Sequence, residues 1–217
     1  MKTLWIRLRM IRGFLQMIRN PERTDIIFEG IELVSRMPDQ KPIEKILAQL
    51  NTHEEYHSMV KSGYMPTKPR LAELKKMPEG SFGRALYDHL YQNRLDFDLF
   101  PTLKIEKPIH YVNQRMYLDH DLWHVLLGAT TSIEDELAIQ GFNVAQLRTP
   151  FGALIIAGGI LHLLRKEPLR TVDAIAKVAA GYQRGLKARF LLGVRLHEMF
   201  ALPLHQVRYH CQLMPLP

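Results

Sequence analysis

The chain has 217 residues and 47% apolar content, enough for one domain with a core of its own. A single cysteine, Cys211, excludes an internal disulfide, and no apolar run reaches the roughly 18–20 residues that span a bilayer. Lys and Arg exceed Asp and Glu by 29 to 22, a net +7 that suits an anionic membrane surface or an acidic ligand. Nucleic acid is disfavoured as a partner, because aromatic–basic RNA motifs, zinc-finger spacing and Walker or Rossmann glycine patterns are all missing.

Residues 1–19 read as a basic amphipathic helix. Leu4, Leu8, Ile11, Leu15 and Ile18 fall on one line, Trp5 and Phe14 add aromatic bulk, and no acid precedes Glu22. Such a helix either lies on a membrane surface or packs on its own core with a solvated basic face. An Arg-rich, acid-free start also has the composition of a mitochondrial transit peptide, although serine is missing. Asn20-Pro21 breaks the helix, Thr24 can cap a second one to about Arg36, and Pro42 opens a third that ends at Leu50.

His53-Glu54-x-x-His57 then matches the H-E-x-x-H zinc-protease pattern. Thr52 and Glu55 have the form of a capping box, so His53 is expected at the first helical position, on a polar helix start facing solvent. A zinc hydrolase using His53, Glu54 and His57 is therefore a remote alternative. Prolines at 66, 69 and 78 leave room only for a short helix over 70–77, and Ser81 caps another to about Gln92. Residues 96–108 read as a surface loop.

A helix over 111–127 carries His120-Asp121-Leu122-Trp123-His124, and Glu136 follows, in the pattern H-D-x-x-H-x11-E. At about 100° per residue, His120, Asp121 and His124 share one arc of the helix. Gly128 returns to that arc, where a missing side chain leaves room for a ligand. Residues 128–131 break the helix, and Thr131 with Glu134 has the form of a capping box for the next, from 132 to about 147. His124 and Glu136 are equidistant from Thr130, so an antiparallel hairpin would bring them level. Two imidazoles and two carboxylates suit one divalent ion: Zn foremost, with Mg, Fe, Mn or Co as alternatives.

Thr149-Pro150 starts a helix whose stretch Phe151–Leu164 has no formal charge, which predicts a buried helix. Gly152, Gly158 and Gly159 allow either close helix packing or the wall of an apolar channel. Thr171 caps a helix to about Gly181. Residues 191–211 hold one or two short helices interrupted at Pro203. Strand-type alternation is scarce, so the expected fold is an all-α, single-domain helical bundle over residues 1–217.

With these residues in view, the chain resembles the ubiquinone (coenzyme Q) biosynthesis protein 4 family, whose hallmark is H-D-x-x-H-x11-E. His120, Asp121, His124 and Glu136 match it position by position. The stretch L-K-K-M-P-E-G-S-F-G at 74–83, Asn93-Arg94, Tyr111-Val112-x-Gln114-Arg115, then Gln146, Pro150 and Gly152, and finally Arg195-Leu-His-Glu198 are similar to family segments in the same order. The resemblance runs from about residue 24 to the end. It departs at Arg115-Met116-Tyr117-Leu118, which keeps only the first arginine of the family's R-Y-R-E, and at His197, where the family has tryptophan.

The resemblance implies an all-helical protein of prenylquinone biosynthesis. It would sit peripherally on a membrane, on the cytoplasmic face of the inner membrane or on the matrix side in a mitochondrion. Partners would be a prenylated quinone precursor or other long isoprenoid lipid, other quinone-biosynthesis proteins and a second copy of the chain in a homodimer. His120, Asp121, His124 and Glu136 would hold the metal and act in a metal-dependent oxidative decarboxylation at ring C1, a lyase-type step. The alternative is a non-catalytic lipid-binding scaffold for a biosynthetic complex.

Overall fold

A computed structural model describes residues 2–21, 23–95 and 100–214. The loop reading for residues 96–99 lies outside the described residues. Among those described there are eleven α-helices and one isolated β-bridge, Ser81 with Pro203. The helices are α1 Lys2–Arg19, α2 Thr24–Ser35, α3 Lys41–Leu50, α4 Glu54–Ser62, α5 Leu71–Lys75 and α6 Phe82–Asn93, followed by α7 Pro108–Leu127, α8 Ile133–Leu147, α9 Pro150–Lys166, α10 Arg170–Lys187 and α11 Leu204–His210. The all-α expectation holds. Two compact units divide the chain, Met1–Leu47 with Ser132–Gly185, and Ala48–Thr131 with Leu186–Pro217.

In the first unit, α9 packs against α1 and α8. Leu137, Leu163 and Ala174 form a buried cluster, with Ile133, Ile160 and Val178 packed on it. The α9 glycines are where neighbours press in. A Cβ on Gly158 would stand 2.3 Å from Met17 Cε, and one on Gly159 2.6 Å from Leu137 Cδ2. One on Gly152 would stand 2.8 Å from Val144 Cγ2. Those positions are filled by side chains, which is the packing alternative. The expectation of a wholly buried α9 is corrected: Leu154, Leu161 and Leu164 are exposed, because only one face of the helix has neighbours.

Helices α8 and α10 approach more closely still. A Cβ on Gly181 would be 2.0 Å from the Ala138 carbonyl oxygen, and one on Gly141 2.4 Å from that of Val178. Gln146 Nε2 donates to Gly185 O at 2.8 Å across the same seam. In α1, Ile6 and Met17 are buried, whereas Leu4, Trp5, Leu8, Ile11 and Leu15 are each more than half exposed. The apolar line seen in the sequence therefore faces outward, beside exposed Arg7, Arg9 and Arg12. A small apolar cavity of about 50 Å³ lies among α1, α2 and α9, lined by Phe14, Met17, Ile26, Phe151 and Ile155, with the Arg9–Glu29 ion pair beside it.

In the second unit, α6 and α7 carry the residues of interest. Ser81 caps α6, its Oγ accepting from the Arg84 N–H at 3.2 Å. The N–H groups of Phe82 and Gly83 donate to Leu202 O and Phe200 O, both at 2.8 Å, and a Cβ on Gly83 would collide with Met77 Sδ. This explains the Gly-Ser-Phe-Gly stretch as a docking point for the C-terminal segment. Helix α7 starts with Pro108 at a position where a missing N–H costs nothing. It is buried on nearly every side, from Tyr111 to Leu127. Its last carbonyls are satisfied by Arg208, which donates to Leu126 O and Val125 O, each at 2.9 Å.

Candidate metal centre

The C-terminal end of α7 fixes the two histidines. Gly128, at φ 68°, closes the helix in the left-handed conformation that glycine adopts without a Cβ clash. The Gly128 N–H donates to Val125 O, and the Ala129 N–H to His124 O at 2.9 Å. These are the two bonds of a Schellman turn. Gly128 thus serves the backbone at the end of α7. Helix α8 is then capped by Ser132, whose Oγ accepts from the Asp135 N–H at 3.3 Å. The expected Thr131 cap is corrected: Thr131 Oγ1 donates instead to Asn93 Oδ1 at 3.0 Å.

The same turn aims the rings. His124 is buried, and its Nδ1 lies 3.1 Å from Thr130 O. A carbonyl only accepts, so Nδ1 carries the proton and Nε2 is the ring nitrogen with the lone pair. His120 is half-buried, with Nδ1 3.3 Å from Asp121 Oδ1, which assigns the same tautomer. This is how metal-binding imidazoles are oriented, each held through its other nitrogen by an oxygen acceptor. Burial opposes ionisation of the Asp121 carboxylate. The hydrogen bond from His120 and the neighbouring His120, His124 and His89 nevertheless hold its pKa below the ordinary value.

Glu136 sits half-buried in the first turn of α8. Among the described residues, His120, His124 and Glu136 form a group that could hold a metal ion, each offering a ligand atom within 4.8 Å of the others. The donor set fits: two neutral imidazoles with lone pairs assigned to Nε2 and one carboxylate are the complement of a borderline divalent cation. Asp121 is not one of this group, and its carboxylate is the acceptor that orients His120.

His53, Glu54 and His57 are elsewhere in the second unit. His53 is the residue before α4 rather than its first helical position, because Thr52 Oγ1 turns back to Gln49 O at 2.7 Å. Its ring stacks on Phe190 with centroids 4.0 Å apart, and Glu54 and His57 are exposed. No metal-binding group among the described residues includes them.

Sequence reasoning missed His89. It lies on α6, and its ring stacks on His124 with centroids 5.2 Å apart and 29° between planes. A run of rings continues past it: His124 to His120 at 4.8 Å, His120 to Phe100 at 5.3 Å, and Phe100 to Tyr117 at 5.5 Å. No local spacing connects α6 to α7, so only the fold reveals this neighbour. Behind α7, the buried Arg115 Nη2 donates to Asp119 Oδ2 at 3.1 Å, and His197 Nε2 lies 3.0 Å from Asp119 Oδ1. His197, which departs from the family pattern, has thus found a carboxylate partner.

Residues 7–217 match the family model for coenzyme Q (ubiquinone) biosynthesis protein Coq4. The bovine mitochondrial ubiquinone biosynthesis protein COQ4 homolog is 30% identical over 140 residues, 64% of this chain and 52% of that protein. The mitochondrial homolog of Nematostella vectensis is 27% identical over 211 residues, 90% of this chain and 95% of that one. The chain thus spans about half the length of the bovine relative. A crystal structure of a protein from Nostoc punctiforme PCC 73102 shares the fold, with a TM-score of 0.82 at 17% identity, over 94% of this chain and 97% of the other. On the match over nearly its whole length, the chain belongs to the Coq4 family of ubiquinone biosynthesis proteins.

Proposed function

We propose that this protein binds a polyprenylated aromatic acid and, with a divalent ion held by His120, His124 and Glu136, removes its ring carboxylate. The observation that carries this reading is the pair of histidines one turn apart on α7, each with Nδ1 committed to an oxygen acceptor. When bound, the ion supplies a Lewis acid that polarises an oxygen of the ligand. The protein's own part is positional. Asp121 and the Thr130 carbonyl fix the two rings, and Phe100 and Tyr117 offer aromatic surface beside His120. The carboxylate leaves as carbon dioxide and ring C1 takes a proton in its place; in the oxidative version C1 takes a hydroxyl group from water, and the two electrons released pass to an external oxidant such as dioxygen, reduced to hydrogen peroxide. Zinc cannot change valence, so the oxidative version favours Fe, Mn or Co.

The second reading is a scaffold that binds the isoprenoid lipid without turnover and gathers other quinone-biosynthesis proteins. Its support is the exposed apolar and basic face of α1, a surface that suits an anionic membrane carrying the lipid. No helix among the described residues is long and apolar enough to cross a membrane. The two readings separate in one experiment. Purified full chain, loaded in turn with each metal, is incubated in air with a prenylated 4-hydroxybenzoate labelled at the carboxyl carbon. Labelled carbon dioxide above the metal-free control supports the enzyme. Retention of the intact lipid without release supports the scaffold and sinks the decarboxylase.

A further inference from the structure

We propose that His89 is a ligand-binding residue of the metal centre, donating a hydrogen bond to an aromatic carboxylate that occupies the ion's open position. This rests on the metal-centre reading above. Three protein ligands leave such a position on a divalent ion, and an exogenous oxygen donor fills it. His89 is not one of the three ligands, but its ring is stacked on that of His124 at 5.2 Å.

The backbone around His89 is built to keep it there. Asn93 Nδ2 donates to His89 O at 2.7 Å, and Asn93 Oδ1 accepts from Thr131 Oγ1 at 3.0 Å. The next residue back in the turn, Thr130, supplies the carbonyl that holds His124. A chain of hydrogen bonds through the 130–131 turn thus ties the His89 backbone to the ring of a metal ligand. Helix α6 is itself fixed at both ends, by the Ser81 cap and by Arg94 in the left-handed conformation. The ligand class follows from the surroundings. Five rings in contact, from Tyr117 to His89, give this part of the second unit an aromatic character that suits a flat aromatic ligand. An imidazole N–H at one end suits its anionic oxygen.

The test uses the full chain loaded with Co²⁺, whose visible bands report the ion's coordination, titrated with 4-hydroxybenzoate. The variants are His89→Phe, which keeps a ring but no donor, and His89→Gln, which restores an N–H. Both should bind one Co²⁺ as wild type does. The affinity for 4-hydroxybenzoate should fall about tenfold or more in His89→Phe, the loss of one hydrogen bond to a charged group, and recover in part in His89→Gln. Equal affinity in His89→Phe, or no spectral response of wild type to the acid, overturns the role of His89 and leaves the metal centre standing. Loss of Co²⁺ from both variants makes His89 a metal ligand and overturns the proposal as well. Failure of wild type to take up Co²⁺ removes the metal centre itself, and His89's role with it.

Discussion

Arg115 and Asp119 are one turn apart on α7 with side chains almost fully buried, and they show how single residues set the terms for this fold. Burial works against the Arg115 charge, and Asp119 with the Tyr111 hydroxyl more than offsets it. Removing one partner leaves the other charge without compensation. Asp119→Asn should therefore cost about 3–5 kcal/mol in denaturant unfolding, and the double variant Arg115→Met, Asp119→Leu should regain much of it. A loss below about 1 kcal/mol in Asp119→Asn would show that the pair is not holding α7 in place. The pairing could have been read from the i, i+4 spacing of Arg115 and Asp119. Their complete burial could not, because nothing local says that α7 is covered on all sides. The partner of Asp119 from the far end of the chain, His197, was equally out of reach. For the metal residues the opposite holds. A 3.6-residue period is enough to place His120 and His124 on one face, so that part of the centre was legible. Spacing also offered Asp121 as a ligand; its contact with the His120 ring shows only in the fold.

At the scale of elements, capping residues and prolines marked most boundaries. Ser81, Pro108, Thr149-Pro150 and Pro203 all stand at helix starts. Errors of a residue or two arose where two hydroxyls compete, as at Thr131 and Ser132. The faces were harder. Charge-free composition implied that α9 is buried, yet one side is bare, because composition reports what a helix tolerates and not what covers it. The packing role of the glycines at the α8–α10 seam escaped notice, and Gly181, expected near a helix end, lies inside α10. Gly181 faces a backbone carbonyl that cannot step aside, whereas Gly159 faces the end of a leucine side chain. Gly181→Ala should thus destabilise more than Gly159→Ala, with the Gly159 variant losing about 1–3 kcal/mol, the usual range for overpacking. Thermal unfolding followed by circular dichroism checks the order. Equal melting temperatures for Gly181→Ala and wild type would show that these helices can separate without cost.

At the scale of the whole molecule, the order of motifs along the chain carried the family assignment, and the match from residue 7 extends it further toward the N-terminus than the motifs alone reached. The N-terminal helix carries a prediction of its own. Its outward Leu4, Trp5, Leu8, Ile11 and Leu15, with arginines beside them, predict binding to anionic vesicles that weakens as salt rises. Deleting residues 1–19 should reduce that binding, and unchanged binding would assign the contact to another surface. The metal centre is the claim on which the chemistry depends. Elemental analysis of purified wild type, His124→Ala and Glu136→Ala, grown and handled identically, tests it most directly. One divalent ion per wild-type chain and almost none in either variant, with helical circular dichroism preserved in all three, is the predicted result. Equal metal content in the three proteins would contradict it.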